Sequence, residues 1–123
     1  MAGFDMHVHS TASDGANDPA SLVMMAKEQG LLGMALTDHD TVDGISEAAA
    51  KAKKIDFPLI AGIEFSSEQN ERDVHILGYW FDPEKISANK QVKDMQDARY
   101  QRCYEIVARL GRLGFDLDAD QIV

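Results

Sequence analysis

The 123-residue sequence predicts an α/β fold built on a parallel sheet with crossover helices, either open or rolled into a barrel. Two observations carry that prediction. Short apolar runs of strand length alternate with segments whose apolar residues recur at helical spacing, and polar, chemistry-bearing residues stand where the runs stop.

Residues 3–8 (GFDMHV) alternate and then give way to HSTASDGAND, which reads as a strand feeding a loop. Asp18 before Pro19 supplies a helix cap and a first-turn proline, and Leu22, Met25 and Ala26 form an apolar stripe closed by Gly30. LGMALT (32–37) is a nearly unbroken apolar run ending in TDHD, as expected of a buried parallel strand with polar groups at its far end. Asp43 is placed to cap a second helix through SEAAAKAKK, with Ile45, Ala48, Ala49 and Ala52 on one side. FPLIAGIEFS supplies a third strand. After a polar turn at EQNER, DVHILGYWF supplies a fourth, in which Tyr79, Trp80 and Phe81 are expected to pack. Beyond Pro83 a long polar helix over 88–113 carries Val92, Met95, Cys103, Ile106, Val107, Leu110 and Leu113 near helical spacing, an apolar face in need of a partner.

Composition, 45% hydrophobic and 27% charged, is that of a soluble globular domain and argues against disorder. No stretch approaches the roughly 18 apolar residues of a spanning helix, and the first ten residues lack a basic start with an apolar core, so no membrane partner and a cytoplasmic location are expected. Cys103 is the single cysteine, which excludes an internal disulfide. The formal charge of -9 repels a long polyanion and argues against extended duplex nucleic acid as a partner.

Asp5, His7 and His9 are spaced by two, so on an extended strand they project from one face. Two imidazoles then make half a site for zinc, manganese or iron, while Asp5 could orient a ring from behind. Alone, such a pair is weak evidence. All four histidines, however, fall at strand ends, in strands or in the loops leaving them, together with several acids. Asp14 lies in the loop after the first strand, Asp38 and His39 end the second, Glu64 ends the third, and His75 lies in the fourth. In a parallel sheet those ends gather on one rim, and facing acids there are costly unless cations offset their repulsion. The ligand types suit two or more divalent ions. Asp38 and Asp40 allow two readings, turn or helix caps and orientation of the site from behind. Ser66 and Ser67 fit phosphate donors or turn formers. Arg72, Arg99 and Arg102 fit phosphate contacts, although on the long helix a solvated face shared with Glu105 and Asp97 is the simpler reading.

These segments resemble the PHP (polymerase and histidinol phosphatase) domain of metal-dependent phosphoesterases. DMHVHSTASDG resembles its first motif, LTDHDTVDG its second, GIEFSSE its glutamate segment and DVHILGYWFDP its following histidine strand, together covering residues 4–83. Within the family the chain is most similar to stand-alone members acting on nucleotides, such as nucleoside 3',5'-bisphosphate phosphatases. The resemblance implies an incomplete, distorted (β/α)7 TIM-like barrel, with residues 1–83 as its N-terminal part and 84–123 as a helical segment opening an insertion. It implies two or three divalent metals, manganese, zinc or iron. His7 and His9 would hold one ion with Glu64 as a bridge, Glu64 and His75 a second, and Asp14 and His39 a third. The implied activity is hydrolysis of phosphate esters of small nucleotides or oligonucleotide ends. Histidinol-phosphate phosphatase and a non-catalytic or polymerase-accessory module are the alternatives. The family's further histidine and aspartate–histidine pair have no counterpart here, so the expectation is either a fragment of a longer protein or a truncated product with partial sites, its incomplete barrel favouring self-association or poor solubility.

Overall fold

The structure, a computed structural model, describes residues 3–122; the expected segment limits at residues 1 and 123 lie outside the described residues. β1 (Phe4–Val8), α1 (Pro19–Glu28), β2 (Gly33–Leu36), α2 (Ile45–Lys54) and β3 (Leu59–Gln69) follow in the expected alternation. β4 (Arg72–Tyr79), a short α3 (Pro83–Ser87) and the long α4 (Lys90–Arg112) complete the main elements, and a 3-10 turn, Ala119–Gln121, follows.

The four strands form one sheet in the order β1-β2-β3-β4. β1 pairs with β2, and β2 with β3, in parallel, as crossover helices require. The fourth strand, which follows a turn and not a crossover helix, runs the other way: β3 and β4 form an antiparallel hairpin from Gly62↔Tyr79 to Gln69↔Arg72. Its two-residue turn, Asn70 and Glu71, has φ of 52° and 60°, and two left-handed residues match the twist of the flanking strands. The hairpin carries β3 to Gln69, so Glu64 lies within the strand rather than at its end.

The sheet is curled. Across a flat sheet the edge strands β1 and β4 would stand roughly 14 Å apart, three strand spacings, beyond the reach of one side chain. Yet the Tyr79 hydroxyl donates to the Met6 carbonyl oxygen at 2.6 Å, joining one edge to the other.

α1 and α2 cover the sheet's outer face, and the core they enclose includes Val23, Met34, Leu36, Ile45, Ala48, Phe57 and Ile63. Asp18 caps α1 by accepting from the Ser21 N–H at 2.8 Å, with Pro19 in its first turn, as expected. Asp43 does not cap α2: the cap is Gly44, without a side-chain bond, and a Cβ there would stand 3.0 Å from the buried Asp38 carboxylate. The space that a capping side chain would need is already filled.

The helix expected over 88–113 is α4, which starts after Asn89, whose side chain accepts from the Gln91 N–H; the short α3 precedes it. Val92 is buried and Met95, Cys103, Val107 and Leu110 are half-buried, whereas Ile106 and Leu113 of the expected apolar face are exposed. Trp80 is not packed: it leaves β4 at φ 53° and is 77% exposed, while Phe81 packs on the core. Among the described residues no helix is long and apolar enough to cross a membrane.

Candidate metal centre

β1, β2, β3 and β4 each deliver part of one cluster. Glu64 is its centre: opposite Leu77 in the hairpin, it shares a face with Ser66 and therefore with Ser66's partner, His75. That diagonal places His75 Nδ1 2.8 Å from Glu64 Oε1. On the other side, beyond the end of β2, His39 forms an isolated parallel bridge with Glu64, so their backbones are locked side by side. His7 Nε2 and His9 Nε2 each lie 2.8 Å from Glu64 Oε2. The rings follow one another closely, with centroids 5.0 Å apart for His7 and His9, 4.6 Å for His9 and His39, and 5.0 Å for His39 and His75. Asp14 closes the arc, with one oxygen 3.0 Å from His9 Nδ1 and the other 3.5 Å from His39 Nε2.

All six residues singled out in the sequence are thus brought to one place. Three sets have ligand atoms lying within 4.8 Å of one another: His7, His9 and Glu64; His9, Asp14 and His39; and His39, Glu64 and His75. A neutral imidazole offers one lone pair, so His9 and His39 can each serve only one of the two sets they belong to, whereas the two oxygens of Glu64 can serve two ions at once.

The electrostatics fit cation binding. Burial alone would raise the Glu64 carboxyl, but hydrogen bonds from His7 and His75 and the nearby His39 and His7 rings outweigh it and hold the group below its usual value. Asp14 is lowered likewise, burial being overcome by His39 and His9. Burial pushes His39 below the usual histidine value against the pull of Glu64 and Asp14, which keeps its lone pair free near neutral pH. Among the described residues His39 Nδ1 is buried with no hydrogen-bond partner, an arrangement that costs free energy unless a ligand takes up that nitrogen.

Of the two readings open for Asp38 and Asp40, their hydrogen bonds follow the one in which they hold the site from behind. Asp38 is buried and accepts three hydrogen bonds at 2.7 Å, from the Ser10 N–H, the Ser10 hydroxyl and the Ser13 hydroxyl. It therefore clamps the loop that carries His9 and Asp14, and the α2 N-terminus beside it favours its negative charge. Asp40, at φ 55°, accepts from the Ser66 N–H at 2.7 Å, and its carbonyl oxygen accepts from Gln96 of α4 at 2.9 Å. Asp5 accepts from the backbone N–H of His7 at 3.2 Å. Ser67 donates to the Val74 carbonyl oxygen within the hairpin.

Sequence reasoning missed Ser10, Thr37, Gly15 and Gln96. Thr37 is buried and its hydroxyl both accepts from and donates to the Val8 backbone, tying β1 to β2. A Cβ on Gly15 would fall 2.2 Å from the His9 carbonyl oxygen, so only glycine lets the loop fold back on itself. A glycine and two serines within HSTASDG were visible as turn formers; their burial was not.

A family model of the PHP domain matches residues 5–120. The chain is 40% identical over 111 residues to a 5'-3' exoribonuclease from Haemophilus influenzae, covering 90% of this chain and 40% of that protein. It is 35% identical to a 3',5'-nucleoside bisphosphate phosphatase from Chromobacterium violaceum, covering 93% of this chain and 40% of that one. A solved structure from Bifidobacterium adolescentis, assigned as a metal-dependent phosphoesterase, superposes with a TM-score of 0.83 at 36% identity, covering 90% of this chain and 39% of that chain. The likeness agrees with the α/β, incomplete TIM-like barrel read from the sequence. The chain spans about 40% of the length of these relatives.

Proposed function

Because this chain belongs to the PHP domain family, we propose that it carries much of a multinuclear metal centre that hydrolyses phosphate esters of small nucleotides or oligonucleotide ends. The observation that carries the reading is Glu64, nearly buried and within 2.8 Å of three imidazole rings. A carboxylate buried among four histidines is the arrangement that a cation-binding site calls for. The relatives from Haemophilus influenzae and Chromobacterium violaceum, named for activity on RNA and on nucleoside bisphosphates, support the substrate class.

In this reading His7, His9 and Glu64 hold one divalent ion, Glu64 and His75 a second, and Asp14 and His39 a third, with manganese, zinc and iron all compatible with the donors. That division uses each imidazole lone pair once and both Glu64 oxygens. When bound, such ions offset charge on the phosphate oxygens and acidify the attacking water. The protein's part is positional. Glu64 would offer one oxygen to each of two ions, Asp38 holds the loop that presents His9 and Asp14, Asp40 fixes the backbone of Ser66 beside the centre, and Asp5 steadies the backbone of His7. Residues 1–83 then form the ligand-bearing part and 84–123 the helical segment beside it.

The test is phosphate release from a nucleoside 3',5'-bisphosphate and from short 5'-phosphorylated oligoribonucleotides, after metal content has been measured. Metal uptake with release abolished by Glu64→Gln supports the reading. Uptake without release of any phosphate ester, by this chain and by a longer protein containing it, overturns it in favour of a non-catalytic module.

A further inference from the structure

Among the described residues of α4 only Val92 is buried, so apolar packing gives the helix a narrow footing on the body. Two of its polar side chains nevertheless converge on one residue. Gln96 Nε2 donates to the Asp40 carbonyl oxygen at 2.9 Å, and Arg99 Nη2 lies 3.6 Å from Asp40 Oδ2. Asp40 directly follows His39, is 2% exposed and holds φ 55°, a left-handed conformation that costs a non-glycine residue free energy. Its other two polar groups grip β3 at and just after Glu64. The Asp40 N–H donates to the Glu64 carbonyl oxygen at 3.0 Å, and Oδ1 accepts from the Ser66 N–H at 2.7 Å. All four polar groups of Asp40 are thus engaged, two by α4 and two by β3, and the residue rivets the helix to the strand that carries Glu64.

A solvated helix face needs neither tie, and a left-handed residue persists where its surroundings over-determine it. We propose that α4 is a positioning element of the metal centre: Gln96, acting through Asp40, fixes where His39 and Glu64 present their ligand atoms, while Arg99 steadies the carboxylate of the same residue. Gln96 is a positioning residue and not a ligand. The assignment rests on the metal-centre reading above and adds a coupling to it. Coupling of this kind is reciprocal, so if docked α4 raises metal affinity, bound metal must hold α4 more tightly in place.

The experiment measures the zinc affinity of the chain by competition with a chromophoric chelator, and amide hydrogen exchange along α4 with and without zinc. In wild type, zinc should slow exchange around residues 92–99, a comparison that needs no variant. Gln96→Met keeps the side-chain length and the charge but removes the donor. Its zinc affinity should fall about tenfold, and the slowing by zinc should be lost. Ala26→Gly, which loosens α1 on the outer face of the sheet, is the control for lost stability: its thermal midpoint should drop while its zinc affinity stays within about twofold of wild type. Wild-type zinc affinity in Gln96→Met, or exchange in wild-type α4 that zinc leaves unchanged, overturns the coupling. An equal loss of affinity in Ala26→Gly assigns the effect to general stability and overturns it as well. A wild-type chain that retains no zinc overturns the metal-centre reading itself, and this inference with it.

Discussion

Glu64 offers the sharpest residue-level prediction, because one carboxylate serves as neighbour to four imidazoles. Glu64→Gln keeps the shape and one acceptor oxygen but removes the charge, and divalent-metal affinity should fall by about 100-fold or more, read by competition with a fluorescent chelator. An affinity within a factor of two of wild type would refute the role given to it. The shifts at the centre also set a pH dependence for the metal-free chain. His39 has its folded value depressed below the ordinary histidine value of 6.5, so protonation favours the unfolded chain and stability is lost as pH falls below 6.5. Glu64 and Asp14, lowered from 4.5 and 3.8, contribute stability present above those values and lost as pH falls through their folded ones. All three act in one direction. Urea midpoints of the metal-free chain should decline as pH falls below 6.5, through His39, and again as it falls below 4.5, through Glu64 and Asp14, and a rise on acidification would contradict the arrangement. The six ligand candidates were legible in the sequence because all four histidines, with two acids, fall in strands or in the loops that leave them, where packing does not call for them. Asp38 and Asp40 were not, since a cap and a buried clamp are the same residue type and only burial separates them.

Elements were legible where their signal is local. The Asp18-Pro19 start of α1 and the apolar run of β2 needed no tertiary information. The direction of β4 did, because a hairpin turn of Asn70 and Glu71 lacks the glycine that usually marks one, and a helix cap at Asp43 was overruled by the packing of Gly44 on Asp38. The loop from His9 to Gly15 is the element on which geometry depends most. Asp38→Ala would leave the buried Ser10 hydroxyl and N–H without an acceptor, at a cost of about 3 kcal/mol in chemical denaturation. A loss under about 1 kcal/mol would show that the clamp is dispensable. Gly15→Ala should disturb the same loop by steric contact with the His9 backbone, weakening metal binding through His9 and Asp14 while leaving the distant core of α1 and α2 folded by circular dichroism. Unchanged metal affinity in that variant would separate the loop from the centre.

At the scale of the whole molecule, a net charge of -9 and an anionic substrate are compatible only if cations intervene. Nucleotide binding should therefore be detectable in manganese and absent in a chelator, and equal binding in both would mean that the centre is not where phosphate docks. The curl that lets Tyr79 reach Met6 is what turns four strand segments into one concave site, and it was not legible in any single segment of sequence. The central claim is that this curl gathers a metal-binding cluster around Glu64. Anomalous scattering at the zinc absorption edge, on crystals of the zinc-loaded chain, tests it most directly. The account predicts peaks at about 2.0–2.2 Å from Glu64 oxygens and from nitrogens of His7, His9 and His75. Zinc found elsewhere on the surface, with no peak at Glu64, would contradict it.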